Sequence, residues 1–461
     1  MVTSGCGSSN GSSPPPPSPS PPTPPVGPLA FGPITPVAAN PTAVFAPAAA
    51  IDATGVAVVM WGQTGLVPVA GQPALANPYV AARENTASGG WAATVVAEST
   101  TQAGDGATDQ IVGLQALAPT TGVAGAWLRP AAAGDRARSA LRETPSGWSS
   151  SNIAAAAVAG VSRSELAFAA NDAGAQAVAW IEPVNNVPQV QLRVRRLGSF
   201  DWTAPAAPVQ TSPSQAGSDP ALAMDSAGRV MIVWRQIVNA SVGELRSRTY
   251  DVIGATYSNE LPVQPNQPDM RNPRVAAVGP NQFIAVWEQA QLSSNIYDLR
   301  GREGNASNWS GMSSIVIDSR VEDVSAAELL AGPNQTALVV WQQADALFAS
   351  RWAGATGTWT QPVPVGAGLA GVARDLRVAG DATGRAVVVW SQAGTSGIKD
   401  LYYALVSGAT PDVTASTLLE VDGAATAAPS VAMNATGAAV VTWLQSVSGQ
   451  TQPDVVARVA R

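Results

Sequence analysis

The chain has 461 residues, of which only 12% are charged, and its formal net charge is −7. It contains no histidine, so the commonest general base and the commonest transition-metal ligand are both missing. Its single cysteine excludes an internal disulfide and a cysteine-rich zinc site, and an acidic chain without a Lys/Arg cluster is not expected to bind nucleic acid.

The first 26 residues form a segment of their own. Cys6 follows Ser4 and Gly5 and precedes a Ser/Gly/Asn-rich stretch, which resembles the end of a bacterial lipoprotein signal. The resemblance implies lipid attachment at Cys6 and a bacterial cell-envelope location, either periplasmic or surface-exposed. The alternative is a cysteine without function in a disordered tail. The Ser/Pro-rich residues 7–26 predict a disordered linker, and its polyproline part would reach about 45 Å.

Residues 27–461 repeat one pattern eight times. In each copy a short apolar strand ends in a tryptophan, as in GRVMIVWRQ and QTALVVWQQ. The tryptophans are 66, 53, 54, 53, 54, 49 and 53 residues apart, and the long first interval contains the insertion TGLVPVAGQPALANP. Such regular spacing indicates a repeat architecture. The tryptophans are Trp61, Trp127, Trp180, Trp234, Trp287, Trp341, Trp390 and Trp443.

Each copy predicts four short antiparallel strands. A small-residue strand precedes a tight turn such as DATG at 52–55, DSAG at 225–228 or NATG at 434–437, in which Asp or Asn caps the turn and Gly takes a positive φ. The strand with the tryptophan comes next, then an alternating third strand, then a fourth. Eight such units predict an all-β, eight-bladed β-propeller. The fourth strand opens on an aromatic residue at Trp91, Trp148, Trp202, Trp309 and Trp359.

The two ends of the chain predict how the ring closes. The last copy stops after its third strand at Arg461, whereas LAFGPITPVAAN at 29–40 has the pattern of a fourth strand without a blade. We therefore expect the N-terminal strand to complete the last blade and so to remove an exposed sheet edge.

The region 27–461 resembles propeller-repeat proteins in general. The Asp, Thr-Gly and Trp of IDATGVAVVMW at 51–61 are similar to the PQQ-type repeat, although the spacing differs. Eight-bladed members of that group include the propeller lipoprotein of the bacterial outer-membrane assembly machinery. By architecture and anchor, that lipoprotein is the nearest analogue; the analogy implies a binding scaffold, and we infer no cofactor from it.

A candidate site lies two residues beyond each closing tryptophan, where six of the eight residues are glutamine. In a propeller these positions lie near the face shared by the loops, so they predict a ring on the binding face. The alternative is that each amide bonds to a neighbouring loop. Arg129 and Glu182 interrupt the glutamines in adjacent blades, where an off-axis site is expected. The ring consists of Gln63, Arg129, Glu182, Gln236, Gln289, Gln343, Gln392 and Gln445.

Three functions remain open from the sequence. The first is a non-enzymatic, monomeric, lipid-anchored scaffold that binds envelope protein or polysaccharide, with no metal, cofactor or catalytic residue. The second is a carbohydrate-active enzyme, a glycoside hydrolase or lyase, that uses Asp/Glu on the loop face. The third is a purely structural surface protein. Charges at the starts of inner strands, such as Glu322–Asp323 and Arg374–Asp375, either hold a cation at the channel mouth or are solvated loop charges.

Overall fold

The computed structural model describes most of the repeat region, whereas Cys6 and the linker lie outside the described residues. In this part of the chain all regular structure is β, and it contains no helix that could span a membrane. The described residues are 29–39, 41, 43–64, 79–86, 88, 90–97, 111–119, 122–130, 135–143, 147–154, 162–196, 199, 201–239, 242–264, 269–292, 294, 296–309, 315–318, 320, 322–393, 397–420 and 424–461.

The strands follow one another blade by blade. The first is β1 (Thr35–Ala38). Blades 1 to 3 contain β2 (Ala43–Val44), β3 (Ala48–Ile51), β4 (Ala57–Thr64), β5 (Tyr79–Asn85), β6 (Val95–Val96), β7 (Val112–Leu117), β8 (Gly122–Arg129), β9 (Arg136–Glu143), β10 (Gly147–Ala154), β11 (Ser164–Ala170), β12 (Gln176–Val184) and β13 (Val187–Arg195). Blades 4 and 5 contain β14 (Gly217–Met224), β15 (Arg229–Asn239), β16 (Val242–Asp251), β17 (Thr256–Tyr257), β18 (Leu261–Pro262), β19 (Met270–Gly279), β20 (Gln282–Ala290), β21 (Tyr297–Gly304) and β22 (Ile315–Asp318). Blades 6 to 8 contain β23 (Val324–Ala331), β24 (Thr336–Gln343), β25 (Ala346–Ala353), β26 (Thr358–Trp359), β27 (Val363–Val365), β28 (Ala373–Gly380), β29 (Ala386–Ala393), β30 (Lys399–Ser407), β31 (Asp412–Val413), β32 (Thr417–Leu418), β33 (Thr426–Met433), β34 (Ala439–Gln445) and β35 (Asp454–Ala460).

These strands form eight antiparallel sheets arranged in a closed ring. Within a sheet the strands run outward from the centre in chain order, as in β7-β8-β9-β10. The innermost strands contact one another in the order β3, β7, β11, β14, β19, β23, β28 and β33, and β33 returns to β3. The structure therefore confirms the eight-bladed propeller.

The N-terminal strand completes blade 8, as the sequence predicts. β1 pairs antiparallel with β35, where Thr35 lies opposite Ala457, and a further bridge joins Phe31 to Ala460. The Arg458 guanidinium donates to the carbonyl oxygens of Phe31 and Gly32 at 2.9 and 2.6 Å. Residues more than four hundred positions apart in the chain are thus held in one sheet.

Blade 3 departs from the four-stranded pattern. Among the residues described for this blade, its sheet contains three regular strands, and the fourth is represented by one bridge between Val194 and Thr203. The following segment contains Pro205 and Pro208, which cannot donate to a ladder. The Gln210 side chain accepts from the Val190 N–H at 2.7 Å, as a strand carbonyl would in a regular ladder.

The closing tryptophans pack between blades. Each of the eight hydrophobic clusters contains one of them together with apolar side chains of the preceding blade. Trp61, for example, packs with Val440 and Val455 of blade 8 and so closes the ring. All eight indoles are 0–1% exposed.

The Asp-x-x-Gly turns between the first and second strands lie on one face of the ring, which we call the turn face. Asp52 Oδ1 accepts from Thr54 N at 2.9 Å and from Val56 N at 3.0 Å, which is the cap expected from the sequence. Asn434 caps its own turn in the same way, and its Nδ2 donates to the Asp52 carbonyl at 2.9 Å. The turn face is therefore hydrogen-bonded across the junction where the ring closes.

At the other end, seven inner strands begin with a bulge. The bulged residue has a positive φ in each of them, although only one of the seven is glycine. A left-handed conformation costs a residue with a Cβ about 1–2 kcal/mol. The seven residues are Gly113, Glu165, Asp219, Asn272, Ala326, Asp375 and Ala428.

Ala326→Gly is expected to stabilise the protein by about 0.5–1 kcal/mol, because relief of the left-handed strain at φ 49° exceeds the added freedom of the unfolded chain. Ala331→Gly is the matched control, since Ala331 is also exposed in β23 but has no positive φ, and it should destabilise. Urea unfolding of both variants measures the difference. Destabilisation by Ala326→Gly would show that the bulge is not strained.

Candidate functional site

The ends of the second strands and the starts of the inner strands lie on the face opposite the turns, which we call the loop face. Here each closing tryptophan lies two residues before a ring residue, so both side chains are on the same side of the strand. In seven blades the indole N–H donates to the side-chain oxygen of that ring residue. The distances are 2.6 Å in blade 1, 2.9 Å in blade 3, and 3.3, 3.2, 3.5, 2.8 and 3.1 Å in blades 4 to 8.

The six glutamines of the ring are buried beneath the loop face. Their exposed fractions range from 1% to 6%. Gln343 Nε2 donates to the Glu322 carbonyl at 3.0 Å, and Gln392 Nε2 donates to the carbonyls of Ala370 and Gly371 at 3.1 and 2.9 Å. These amides connect the indole to the loop that leads into the same blade. A direct role of the ring in binding remains a prediction. Because the glutamines are buried, solvent reaches the loops above them.

Arg129 and Glu182 lie in the adjacent blades 2 and 3, but their environments differ. Glu182 Oε2 takes the glutamine's place by accepting from Trp180 Nε1, and it also accepts from Arg163 Nε at 2.7 Å. Burial opposes ionisation of Glu182, but the hydrogen bonds from Arg163 and Trp180 outweigh it and lower its pKa. Arg129 is 6% exposed and cannot accept a hydrogen bond from Trp127.

A connected group of polar side chains on the loop face lies at the junction of blades 4 and 5. Asp269 is its centre: it accepts from Arg235 Nη2 at 2.7 Å, from Gly243 N at 2.7 Å and from the Tyr297 hydroxyl at 2.9 Å. Burial opposes ionisation of Asp269, but these bonds outweigh it and hold its pKa below the usual value. Burial and the Asp269 carboxylate together raise the pKa of Tyr297.

Arg271 connects this group to the interior of blade 5. Its Nε donates to Glu288 Oε2 at 2.7 Å, and its guanidinium lies 3.6 Å from the ring centroid of Tyr297. Glu288 is completely buried, also accepts from Asn272 Nδ2 at 3.0 Å, and has a pKa raised by burial despite these bonds. The Arg271 side chain remains 37% exposed, so its outer N–H groups face solvent while its Nε is held by Glu288.

The loop between β20 and β21 adds an exposed apolar side chain to the loop face of blade 5. Gln291 Nε2 donates to Asp298 at 2.7 Å and Gln291 Oε1 accepts from Ser294 at 3.0 Å, which fixes the loop from below. Leu292 at its tip is 91% exposed. We define the blade-5 patch as Arg271, Leu292 and Tyr297.

The charged side chains predicted at the starts of inner strands interact with residues of neighbouring strands. Asp323 accepts from the Tyr297 N–H at 2.9 Å, and Asp375 accepts from the Ser391 hydroxyl at 2.7 Å while lying 3.8 Å from Lys399. Within the ranges the structure describes, no three acidic or cysteine side chains are grouped so as to hold a metal ion.

The sequence did not point to Asp269, Arg271 and Tyr297, because they come from two segments whose flanking loops differ in length from blade to blade. One signal was present: the residue directly after the closing tryptophan is charged only in blades 4 and 5, as Arg235 and Glu288. A charge there points away from the tryptophan side of the strand and needs a partner.

Neither a known protein family nor a curated protein matches this sequence. Solved structures are similar at low identity. The β-propeller domain of the Trilobed protease from Pyrococcus furiosus is 8% identical with a TM-score of 0.46, over 76% of this chain and 95% of that one. Polysaccharide lyase Uly1 is 8% identical with a TM-score of 0.46, over 74% and 88%. The six-bladed Aleuria aurantia lectin is 15% identical with a TM-score of 0.37, over 68% and 96%. At such identities the likeness concerns propeller architecture alone.

Proposed function

We propose that the protein is a non-enzymatic binding scaffold that recognises protein or polysaccharide through the blade-5 patch. The observation that carries the proposal is the fixed network beneath the patch, in which Asp269 orients Tyr297 and Glu288 orients Arg271. Preorganised tyrosine and arginine side chains lose little conformational freedom when a ligand binds, and both types are enriched at binding hot spots.

The ionisation states in the patch also support binding rather than turnover. Burial and the neighbouring Asp269 carboxylate raise the pKa of Tyr297, whereas hydrogen bonds from Arg235, Gly243 and Tyr297 lower the pKa of Asp269. Neither group is therefore suited to act as a general acid near neutral pH. A rigid surface of hydrogen-bond donors beside an exposed leucine is suited to hold a ligand without changing it.

We further propose that Cys6 carries a lipid and that the body is held at the bacterial envelope. Residue 29 leads into the propeller near the turn face, because Phe31 pairs with Ala460 and Ala460 lies opposite Ala439, directly after the last turn. A tether that ends there would turn the loop face, with the blade-5 patch, away from the membrane.

Leu292→Ser is expected to weaken ligand binding roughly tenfold or more, and Tyr297→Phe several-fold, because the first removes the apolar contact and the second a polar one. A glycan array and a pull-down with the purified chain first identify the ligand whose binding is then compared. Ile253→Ser is the matched control, since Ile253 is 73% exposed but lies at the turn-face end of β16. A ligand that is retained equally by all three variants would contradict the proposal.

A carbohydrate-active enzyme is the second candidate, favoured by Glu165 at the bulge of blade 3. Its Oε2 accepts from the Asp219 N–H of the next blade at 2.6 Å. Burial raises the pKa of Glu165, the bond from Asp219 N lowers it in part, and the Asp219 charge raises it again. Two neighbouring carboxyl groups, one of them with a raised pKa, are the arrangement that glycoside hydrolysis uses. Turnover of any array glycan that is lost in Glu165→Gln would replace the scaffold proposal.

A further inference from the structure

A cavity of about 370 Å³ lies between blades 3 and 4, and its volume is in the range of small-molecule binding sites. Val194 and Thr203 border it in blade 3, and Tyr250 and Val252 border it in blade 4. Val252 N donates at 3.0 Å to the carbonyl of Gly228, which belongs to the turn of blade 4. The cavity therefore lies at the turn-face end of the two blades, away from the blade-5 patch.

The cavity is open to solvent. Among its lining residues, Arg196, Asp201 and Ala204 are exposed. In the described part of blade 3, the bridge at Thr203 is soon followed by Pro205, which cannot donate to β13. A ligand can therefore reach the lining residues from solvent without displacing a strand.

Tyr250 presents its hydroxyl group to this cavity. The residue is only 4% exposed, and its ring packs edge-on against Tyr257 at a centroid distance of 4.8 Å, which fixes its orientation. Within the described ranges no group forms a hydrogen bond with the hydroxyl, and its oxygen is not fully enclosed by protein. A buried tyrosine hydroxyl usually has a partner, so this one is available to a ligand in the cavity.

Arg196 connects the two blades at the rim of the cavity. Its Nε donates to the Val252 carbonyl at 2.9 Å, and its Nη2 donates to the Ile253 carbonyl at 3.0 Å. These two bonds fix the guanidinium, whereas its Nη1 has no partner in the part of the chain that the structure describes. The remaining N–H groups can therefore bind a ligand with little further loss of side-chain freedom.

Asp201 supplies an acceptor on the blade-3 side. Its N–H donates to Ser199 Oγ at 3.1 Å, and Ser199 N donates to the Arg196 carbonyl at 3.2 Å. The Asp201 carboxylate is in no ion pair or hydrogen bond with another described residue. An anionic ligand would be repelled by Asp201 and a cationic one by Arg196, so the cavity favours a neutral ligand that both donates and accepts.

We propose that this cavity binds one neutral pyranose unit of a glycan. Neighbouring sugar hydroxyls can donate to the Asp201 carboxylate and accept from the Arg196 guanidinium, while a further hydroxyl bonds to Tyr250. The C–H face of the sugar ring is apolar and suits the wall formed by Val194 and Val252. This site lies away from the blade-5 patch and does not depend on it.

Saturation-transfer NMR of the whole chain with the methyl glycosides of glucose, galactose, mannose, fucose and N-acetylglucosamine tests the proposal. At least one is expected to bind with a Kd of about 1 mM or tighter. Tyr250→Phe should weaken its binding about threefold or more, and Asp201→Asn about tenfold or more, because a hydrogen bond to a charged group is stronger. Tyr250→Phe should leave the midpoint of urea unfolding unchanged, since the hydroxyl bonds to no described residue.

Asp412→Asn is the matched control. Asp201 and Asp412 are both exposed, and each lies two residues before a threonine whose N–H donates to the third strand. In the blade that follows Asp412, Ala460 stands at the register position of Tyr250. Asp412→Asn should therefore leave sugar binding unchanged. The proposal is overturned if no glycoside binds, if all three variants bind alike, or if only Leu292→Ser reduces binding, which would assign the sugar to the blade-5 patch.

Discussion

Deletion of residues 1–39 is expected to abolish the cooperative unfolding of the propeller. The deletion removes the buried side chains of Leu29 and Val37 and the contact of Phe31 with Tyr403, whose ring centroids lie 5.0 Å apart. It also leaves Arg458 without two of its carbonyl partners and exposes the outer edge of β35.

The expected loss is large relative to the stability of a domain. Burial of two aliphatic side chains contributes about 3–6 kcal/mol, and each lost hydrogen bond to the Arg458 guanidinium adds about 1.5–3 kcal/mol. Ordinary domains have a total stability of about 5–15 kcal/mol. The ring is thus expected to open at the junction of blades 8 and 1 or to fail to fold.

Deletion of residues 1–28 is the matched control, because it keeps every contact just described. Guanidinium unfolding followed by tryptophan fluorescence compares the two truncations with the full chain. A synthetic peptide of residues 29–39 should restore part of the lost stability of the longer truncation by adding back the missing strand. Equal midpoints for all three chains would show that the N-terminal strand does not hold the ring together.

The number of blades and the closing strand were predictable because both depend on local pattern. One tryptophan per repeat marks the strand that packs on the preceding blade, so counting Trp61 to Trp443 counts the blades. The segment 29–40 had the residues of a fourth strand and no blade of its own. Both features can be recognised even though loop lengths vary, because each is encoded within one strand.

The hydrogen bonds that link the third strand of one blade to the preceding blade could not be predicted from the sequence. Arg248 donates to the Pro208 and Val209 carbonyls of the preceding blade, Arg302 donates to the Val263 carbonyl, and Arg458 donates to the Leu419 carbonyl at 2.6 Å. In the sequence these arginines are only scattered charges. Their common role depends on where the third strand lies against its neighbour, which bulges and loop lengths decide.

The location of the glutamine ring could be predicted from the sequence, but its hydrogen-bond partners could not. Residues two apart in a strand share one side, so the buried tryptophan already implied that Gln392 and its equivalents point between blades. The sequence alone did not show that the indole N–H is their partner, because side-chain rotamers decide whether the two groups meet. The proposed binding surface consequently lies on the loops above the ring.

The bond between a closing tryptophan and its glutamine is expected to be a large local contribution to stability, and Trp390 with Gln392 is the best pair for measuring it. The two atoms lie 2.8 Å apart, and both residues are buried. Trp390→Ala should cost about 3–5 kcal/mol through the cavity it leaves between blades 6 and 7. Gln392→Leu should cost about 1–3 kcal/mol, because it leaves the indole N–H without its acceptor and the Ala370 and Gly371 carbonyls without their donor.

Blade 2 supplies the control for this bond within the same molecule. Trp390→Phe keeps most of the apolar area and removes only the N–H with its bond, whereas Trp127→Phe removes an N–H that has no acceptor among the described residues. The first change should therefore cost about 1 kcal/mol more than the second in urea unfolding. In a double-mutant cycle, Trp390→Phe with Gln392→Leu should cost less than the sum of the single changes, because both remove the same bond. Additive costs, or equal costs for the two phenylalanine variants, would mean that the indole–amide bond contributes nothing and that packing alone holds the blades together.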